Sequence, residues 1–358
     1  RAPLDGVTRE SRMDIIDSTV QYLGYHDGKS WGLSWKVEDF TGEEPVQTTD
    51  DPPQATGVAH AECGFTPKVK QASTWGDITG STISHLHFGV YTFGHGSMDG
   101  TGTQTQWTNN IIEYCNVYGF DPHDGSNNLL IEGNTARFNG KHGIICSKFC
   151  NSVIIRNNQS HDNKENGIMV HDGSNGAIVE DNTCTGNHDS GIAIFDSCDA
   201  IVRNNVCNYN FNAGIRLSVG SSSNLIENNT INGAGQYGLL LYRGSDVGQY
   251  SNSNKINTDN TFRNNVLNNI GVEGIKMQGC FNTLFENNSF TDISIIHPLN
   301  DGLELYFVSS VSGLPAIGSR LTVVGLINGS TLHVRIFDDA GTMVVDKTEA
   351  QLTSGQKL

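Results

Sequence analysis

Apolar residues in this chain come in short runs closed by Gly or Asn, and the runs recur at a fixed interval. A Gly followed by an apolar residue appears at Gly119-Phe120, Gly143-Ile144, Gly167-Ile168, Gly191-Ile192, Gly214-Ile215 and Gly238-Leu239, at spacings of 24, 24, 24, 23 and 24 residues. Gly274-Ile275 follows after 36, the interval expected if one repeat carries a 12-residue insertion around 246–257. Between these marks lies a β-type run ending in polar Asn, as in Asn128–Asn134, Asn151–Asn157 and Asp199–Asn204. Asn-Asn pairs recur at 127/128, 157/158, 204/205, 228/229, 264/265 and 287/288. No segment sustains a helical period, which excludes helical solenoids. Short strands separated by Gly and Asn corners cannot bury an inner face alone. Stacked coils can, each strand pairing with its equivalents about 4.8 Å above and below. The pattern therefore predicts an all-β chain, a right-handed parallel β-helix with coils of roughly 24 residues.

Fainter coils precede the clear ones, at Met13–Lys36 with Gly32-Leu33 and at Thr79–Phe93 with Gly89-Val90. Between them 37–70, carrying Pro45, Pro52, Pro53 and Pro67, reads as a long excursion from the solenoid. The repeat stops near residue 308. Leu321–Asp338 alternates apolar and polar residues, with Asn328-Gly329 as a hairpin turn signal. The expected organisation is a β-helix domain over 1–311 and a β segment over 312–358, a cap or a fragment of an appended module.

Coil stacking places equal offsets from the repeated Gly in one column, and side chains alternate inward and outward. The residue after each Gly points in, as do Pro122, Cys146, Val170, Ile194, Leu217 and Leu241. Outward columns lie one before the Gly (Tyr118, His142, Asn166), two after (Asp121, Ile145, Met169, Arg216), four after (His123, Ser147, His171, Tyr242) and five after (Asp124, Lys148, Asp172, Arg243). One face thus gathers titratable and aromatic groups over a few coils, while outward positions elsewhere are mostly Asn, Ser, Thr and Asp. Such a band suits a linear charged polymer lying along the solenoid: cations for its charges, rings for sugar faces and an acid–base pair.

Composition sharpens this. Asp and Glu number 38 against 22 Lys and Arg, a net charge of −16, which argues against a nucleic-acid binder. The same charge opposes a polyanion at long range, so any cationic site must be local. No stretch approaches 18 apolar residues, so no membrane span is expected. The chain opens at Arg1 without Met, which suggests a processed or trimmed N-terminus. Eight Cys show no CxxC pair and no zinc spacing. Cys184 and Cys207 share a column in adjacent coils, as a buried thiol ladder more readily than a disulfide. Cys150 and Cys198 lie two coils apart, roughly 9.6 Å and too far to bridge. His85, His87, His161 and His188 read as solvated side chains, and the Asn-x-Ser/Thr sequons as a by-product of an Asn-rich ladder.

The run Tyr118-Gly-Phe-Asp-Pro-His-Asp124 resembles the signature of mannuronan C5-epimerases, and the similarity extends through Lys141–Lys148 and the following coils. Upstream, Tyr22–Tyr25, Trp31–Lys36 and Tyr91–His95 also resemble that family, so the likeness covers about residues 13–290. It implies an isomerase of alginate that inverts C5 of β-D-mannuronate to give α-L-guluronate. Such a reaction requires a neutralised C6 carboxylate, a base for the C5 proton and an acid on the opposite face. By resemblance His123 and Tyr118 are the base and acid, in either order, with Asp121 orienting the pair or hydrogen-bonding the substrate carboxyl. Lys148 stands where relatives carry Arg, a point charge in place of a bidentate fork. His142 is a second acid–base candidate. Lys36, His95, Asp124, His171, Arg216 and Arg243 are candidate substrate-binding residues, taken mainly from register. No cofactor is required; Ca²⁺ on acidic loops is allowed but called for by no motif. The implied partner is an anionic linear polysaccharide met by a secreted, extracellular or periplasmic monomer. A polyuronate lyase shares the first step and differs in expelling the 4-O substituent. A non-catalytic carbohydrate-binding solenoid has no need of the Tyr–Asp–His–Lys cluster. A glycoside hydrolase would want paired carboxylates across the bond, and register points Asp121 and Asp124 apart.

Overall fold

The computed structural model describes residues 9–25, 32–36, 72–95, 104–244, 255–278 and 280–291, together with the strands Glu304–Val308, Leu332–Phe337 and Met343–Glu349. Among these residues the chain is all strand. Three parallel sheets of 10, 10 and 9 strands wrap a single core, and one strand from each makes a coil. In one coil, Gln106–Thr108, Ile111–Glu113 and Phe120–His123 follow one another before the chain returns at Leu130–Glu132 directly above the first. The pairings Leu130↔Ile154, Ile178↔Ile201 and Leu225↔Thr261 reproduce the steps of 24, 23 and 36 residues. The fold is the right-handed parallel β-helix that the repeat predicts.

Strand Leu33–Lys36 pairs directly with Val90–Phe93, and Thr19–Gln21 with Thr82–Ser84. The two faint coils are therefore stacked neighbours. The predicted excursion over 37–70 falls between them and lies outside the described residues, as do most of the predicted insertion at 246–257 and the turn at Asn328-Gly329. Near the C-terminus, Glu304–Val308 pairs in parallel with Leu332–Phe337, which pairs antiparallel with Met343–Glu349.

The repeated Gly is required by approach. A Cβ at Gly167, Gly191 or Gly214 would come 2.7, 2.8 and 2.9 Å from the carbonyl oxygen of the Gly one coil on. The Asn pairs divide their work. In five of the six pairs the first residue, as at Asn157, Asn204, Asn228 and Asn264, turns the corner with φ of 55–56°, a conformation Asn tolerates better than most residues; in Asn127-Asn128 it is the second, at 54°. The second residue of those five points inward and joins a ladder that Asn134 and Asn182 also enter. Asn110, Asn134, Asn158, Asn182, Asn205, Asn229, Asn265 and Asn288 each accept from or donate to the next amide at 2.8–3.0 Å. Their Nδ2 groups also satisfy corner carbonyls such as that of Ile131, so the buried polar corner is fully partnered.

Cys184 and Cys207 pair in register and are buried free thiols, a ladder as expected. Cys115, Cys146, Cys150 and Cys280 are also free, while Cys198 is disulfide-bonded. No helix among the described residues is long and apolar enough to cross a membrane.

Candidate active site

The nine-stranded sheet carries the predicted columns in the predicted register. Asp121 pairs with Tyr91, His123 with Phe93 and Ser147, Ser147 with His171, and Arg216 with Ala193 and Leu240. The columns form a groove running along the solenoid axis. Tyr118, His142 and Asn166 line one wall, and Phe93, His123, Ser147, His171, Phe195 and Tyr242 the other. Tyr91, Asp121, Ile145, Met169, Ala193, Arg216 and Leu240 make the floor. That floor is buried, where the alternation of side chains predicts exposed outward positions. The reason is the bulk of the walls: Tyr118 and Phe195 pack over a second apolar cluster of Ile145, Met169 and Ala193.

Asp121 stands at one end of this floor, 1% exposed, and neither carboxylate oxygen has a hydrogen-bond partner. Burial pushes its carboxyl up to about 7, against the pull of His123 and with a further push from Asp124. His123 bonds through Nδ1 to Asp124 Oδ2, which leaves Nε2 for chemistry. Burial works against its charged form, yet the Asp124 bond and the charges of Asp121 and Asp124 outweigh it, and the imidazole is raised above its ordinary value. Asp121 and Asp124, expected to face apart, thus both act on the same imidazole. Tyr91 lies tilted beneath the His123 ring at 5.4 Å. Lys148, at a corner with φ of 56°, is half-buried, and its charge bears on both His123 and His171.

Across the groove Tyr118 stacks on His142, centroids 5.3 Å apart and planes within 10°, and meets the edge of Phe88 at 5.6 Å. Burial, then Asp121 and Glu165, raise the phenol above its ordinary value and hold it protonated. His142 accepts at Nδ1 from the Asn166 main-chain N–H at 3.2 Å, and its Nε2 lies 3.2 Å from Glu165 Oε2. Burial drives it well below the usual histidine range, so it is a neutral imidazole with its proton on Nε2.

Beyond this cluster the groove opens into a pocket of about 590 Å³ lined by His142, Glu165, Asn166, His171, Arg216 and Tyr242 among others. Arg216 is held by Asp189 at 2.8 Å through Nη1, and its buried Nε has no partner. His171 shares Nδ1 with Ser147 Oγ at 2.8 Å, and burial lowers it to about 3. Asp172 approaches the same nitrogen at 3.4 Å.

Not every predicted residue reaches the groove. His95 is a correction: it is 1% exposed inside the solenoid, between Trp35 and Trp107, and accepts from the Gly76 N–H at 3.1 Å. It packs the first coils and cannot touch a polymer. His87, expected to be solvated, is buried. Lys36 falls in the His123 column opposite Phe93, but its side chain lies outside the described residues. Arg243 follows Tyr242 at the far end of the groove, half-buried, with Nε unpartnered. Glu165 and Asp189 were missed. They share a column two before the Gly with Lys141 and Asn212, joined by main-chain bonds, and reading that offset for charge would have found them. Among the described residues no group of three or more His, Cys, Asp or Glu could hold a metal ion.

Residues 97–256 match the family model described as a right handed beta helix region. A mannuronan C5-epimerase of Pseudomonas putida is 31% identical over 138 residues, 38% of this chain and 21% of that protein. Among solved structures, the periplasmic alginate epimerase AlgG superposes with a TM-score of 0.60 at 21% identity, over 81% of this chain and 62% of that one. A point variant of AlgG gives 0.63 at 22% identity, over 79% and 61%. The aligned segments span less than two thirds of these relatives' own lengths. The resemblance to mannuronan C5-epimerases is thereby borne out at the level of sequence and fold: the chain is a right-handed parallel β-helix similar in sequence to a mannuronan C5-epimerase and in fold to an alginate epimerase.

Proposed function

We propose that the protein is a mannuronan C5-epimerase that acts within an alginate chain lying along the groove. The observation that carries this is the placement of two proton-transfer groups, His123 and Tyr118, on opposite walls, with the buried, unpartnered carboxyl of Asp121 in the floor between them. His123 Nε2 removes the C5 proton, with Asp124 fixing the tautomer through Nδ1. The electron pair passes into the C6 carboxylate, where protonated Asp121 donates a hydrogen bond and Lys148 supplies positive charge. Tyr118, held protonated by its surroundings, delivers a proton to the other face of C5. The raised phenol of Tyr118 supports its role as acid and leaves the base to His123. Further along, Arg216, His171, Asp172, Tyr242 and Arg243 are in place to bind neighbouring sugars. An oxidising compartment, secreted or periplasmic, suits both a polymer substrate and the disulfide at Cys198.

The test is incubation with polymannuronate in D₂O, followed by proton NMR and ultraviolet absorbance. The expected result is guluronate with deuterium at C5 and unchanged chain length. His123→Ala and Tyr118→Phe should lower the rate by roughly 10²–10⁴-fold. New unsaturated chain ends with falling viscosity would instead establish a lyase using the same base. No change with polymannuronate would overturn the assignment of substrate.

A further inference from the structure

The pocket beyond the reacting centre is furnished differently from the centre itself. Its floor is apolar, with Met169 two rungs along from Asp121, about 10 Å. Two imidazoles and a guanidinium line it, and each has a carboxylate beside it. His142 Nε2 lies 3.2 Å from Glu165 Oε2, Arg216 Nη1 lies 2.8 Å from Asp189 Oδ2, and His171 Nδ1 lies 3.4 Å from Asp172 Oδ2. Burial lowers both imidazoles, which leaves the lining with three carboxylates against one guanidinium. Lys141 and Lys148 bear on these groups from outside the lining. Arg216 is already committed, because Asp189 is anchored in turn by Asn212 Nδ2 at 2.7 Å and Ser190 Oγ at 3.2 Å. His142 and Glu165 are adjacent without being aligned as a hydrogen bond. The Asn166 donors occupy Nδ1, so an N–H and a carboxylate lie side by side, both open to a third group.

A carboxylate only accepts hydrogen bonds, and in this pocket it would meet the like charge of each acid. A hydroxyl accepts from an N–H and donates to a carboxylate at the same time, which is what each couple offers. In a 1,4-linked uronan the free hydroxyls are those on C2 and C3. We infer that the pocket is a hydroxyl-reading subsite for sugars near the reacting one: it takes C2 and C3 hydroxyls between its paired acids and donors, lays the C–H face of the ring on Met169 and turns the C6 carboxylate to solvent. The inference rests on the epimerase reading for the identity of the polymer. Recognition is then divided along one groove, with charge read at Lys148 and Asp121 and hydroxyls read beyond. A neutral 1,4-linked mannose oligosaccharide, which carries the same C2 and C3 hydroxyls and no carboxylate, is a ligand of the pocket. The Glu165 carboxyl behaves as an acid that no cation has claimed: burial raises it, with Asp189 in support, against the pull of Lys141 and Arg216.

The test is isothermal titration calorimetry of the full chain with β-1,4-mannotetraose and with tetramannuronate, each at about 10 mM and about 150 mM salt. Mannotetraose should bind saturably and with the same affinity at both ionic strengths. Glu165→Ala removes the acceptor of one couple and should weaken mannotetraose by about threefold to tenfold. Asp189→Asn removes a charge and keeps an oxygen for Arg216. Tetramannuronate should then bind about fivefold tighter at low salt, while mannotetraose gains nothing. A purely structural role for the two acids would weaken both ligands together. Absence of mannotetraose binding to the wild type, or binding that Glu165→Ala leaves unchanged, would overturn the inference. So would a tetramannuronate affinity that fails to rise in Asp189→Asn. If the wild-type protein shows no C5 exchange on polymannuronate, the epimerase assignment fails instead, and the calorimetry still decides what the pocket takes.

Discussion

The proposed reaction needs the Asp121 carboxyl protonated and the His123 imidazole free, two groups that their surroundings raise above their ordinary values. Activity is therefore expected to fall on the acid side as His123 takes up a second proton, and on the alkaline side as Asp121 gives its own up. Asp121→Asn removes the second limit, because an amide donates at any pH. On the acid side Asp121 already carries its proton and is neutral, so the acid limb should stay where it is. The kcat/KM profile is therefore expected to widen on the alkaline side alone, at the cost of a lower maximum. The same substitution has a consequence for folding. A carboxyl raised from 3.8 to about 7 in the folded state binds its proton more tightly when folded, so native stability declines as pH climbs through that interval. Asp121→Asn should raise Tm at about pH 8 and give little gain at about pH 4. Equal Tm differences at both pH values would contradict the burial of an unpartnered carboxyl. The offset of Asp121 from its Gly was legible in the sequence, and so was its place beside His123. Its desolvation was not, because alternation says which way a side chain points and nothing of what leans over it. His95 failed for a related reason. It follows an apparently outward strand, but the solenoid's first coils are closed by Trp35 and Trp107, and the ring was drawn into that aromatic interior.

At the scale of the coil, two kinds of cross-coil contact repeat with the same period and differ in worth. Asn158 sits inside the corner, donating to the Ile131 carbonyl and to Asn182, and accepting from the Asn134 N–H. Asn158→Ala leaves a buried N–H and a buried carbonyl unpaired, at about 1–3 kcal/mol each, so a loss of about 2–5 kcal/mol is expected in denaturant unfolding. Arg156 reaches Glu132 on the outer surface at 3.0 Å. Arg156→Ala should cost less than about 1 kcal/mol, and less still in high salt. The Gly spacing told these positions apart only in part. It set the period and the columns, since each Gly is forced by the carbonyl of the next. It did not distinguish the corner Asn from the ladder Asn in each pair, because both residues are the same and only φ and burial separate them. Glu165 and Asp189 escaped for want of a motif; they are ordinary acids whose meaning comes from the column they share.

Over the whole molecule the charge of −16 opposes a polyuronate, while the groove holds Lys148 and Arg216 as local exceptions. Adding salt shortens the reach of the unfavourable field to about 8–10 Å at physiological ionic strength and weakens the half-buried contacts less. KM for polymannuronate is thus expected to fall as ionic strength rises from about 10 mM to about 150 mM, opposite to the behaviour of a basic groove; a steady rise would place the controlling cations on the outside. The strict stacking has one more consequence. The molecule is built so that its length can change in only one denomination. Removing residues 168–191 would join Gly167 to Ile192 with every amide ladder shortened by a rung and none interrupted, whereas losing the residues of a single strand would leave a gap in the column it belongs to. Arg216, now four rungs or roughly 19 Å from Asp121, would move one rung nearer, and Glu165 would stand in the column position that Asp189 now holds. Distance between the reacting sugar and its distant anchor is thus quantised by the backbone, and a lineage that lengthens or shortens its substrate's grip must do so one whole turn at a time.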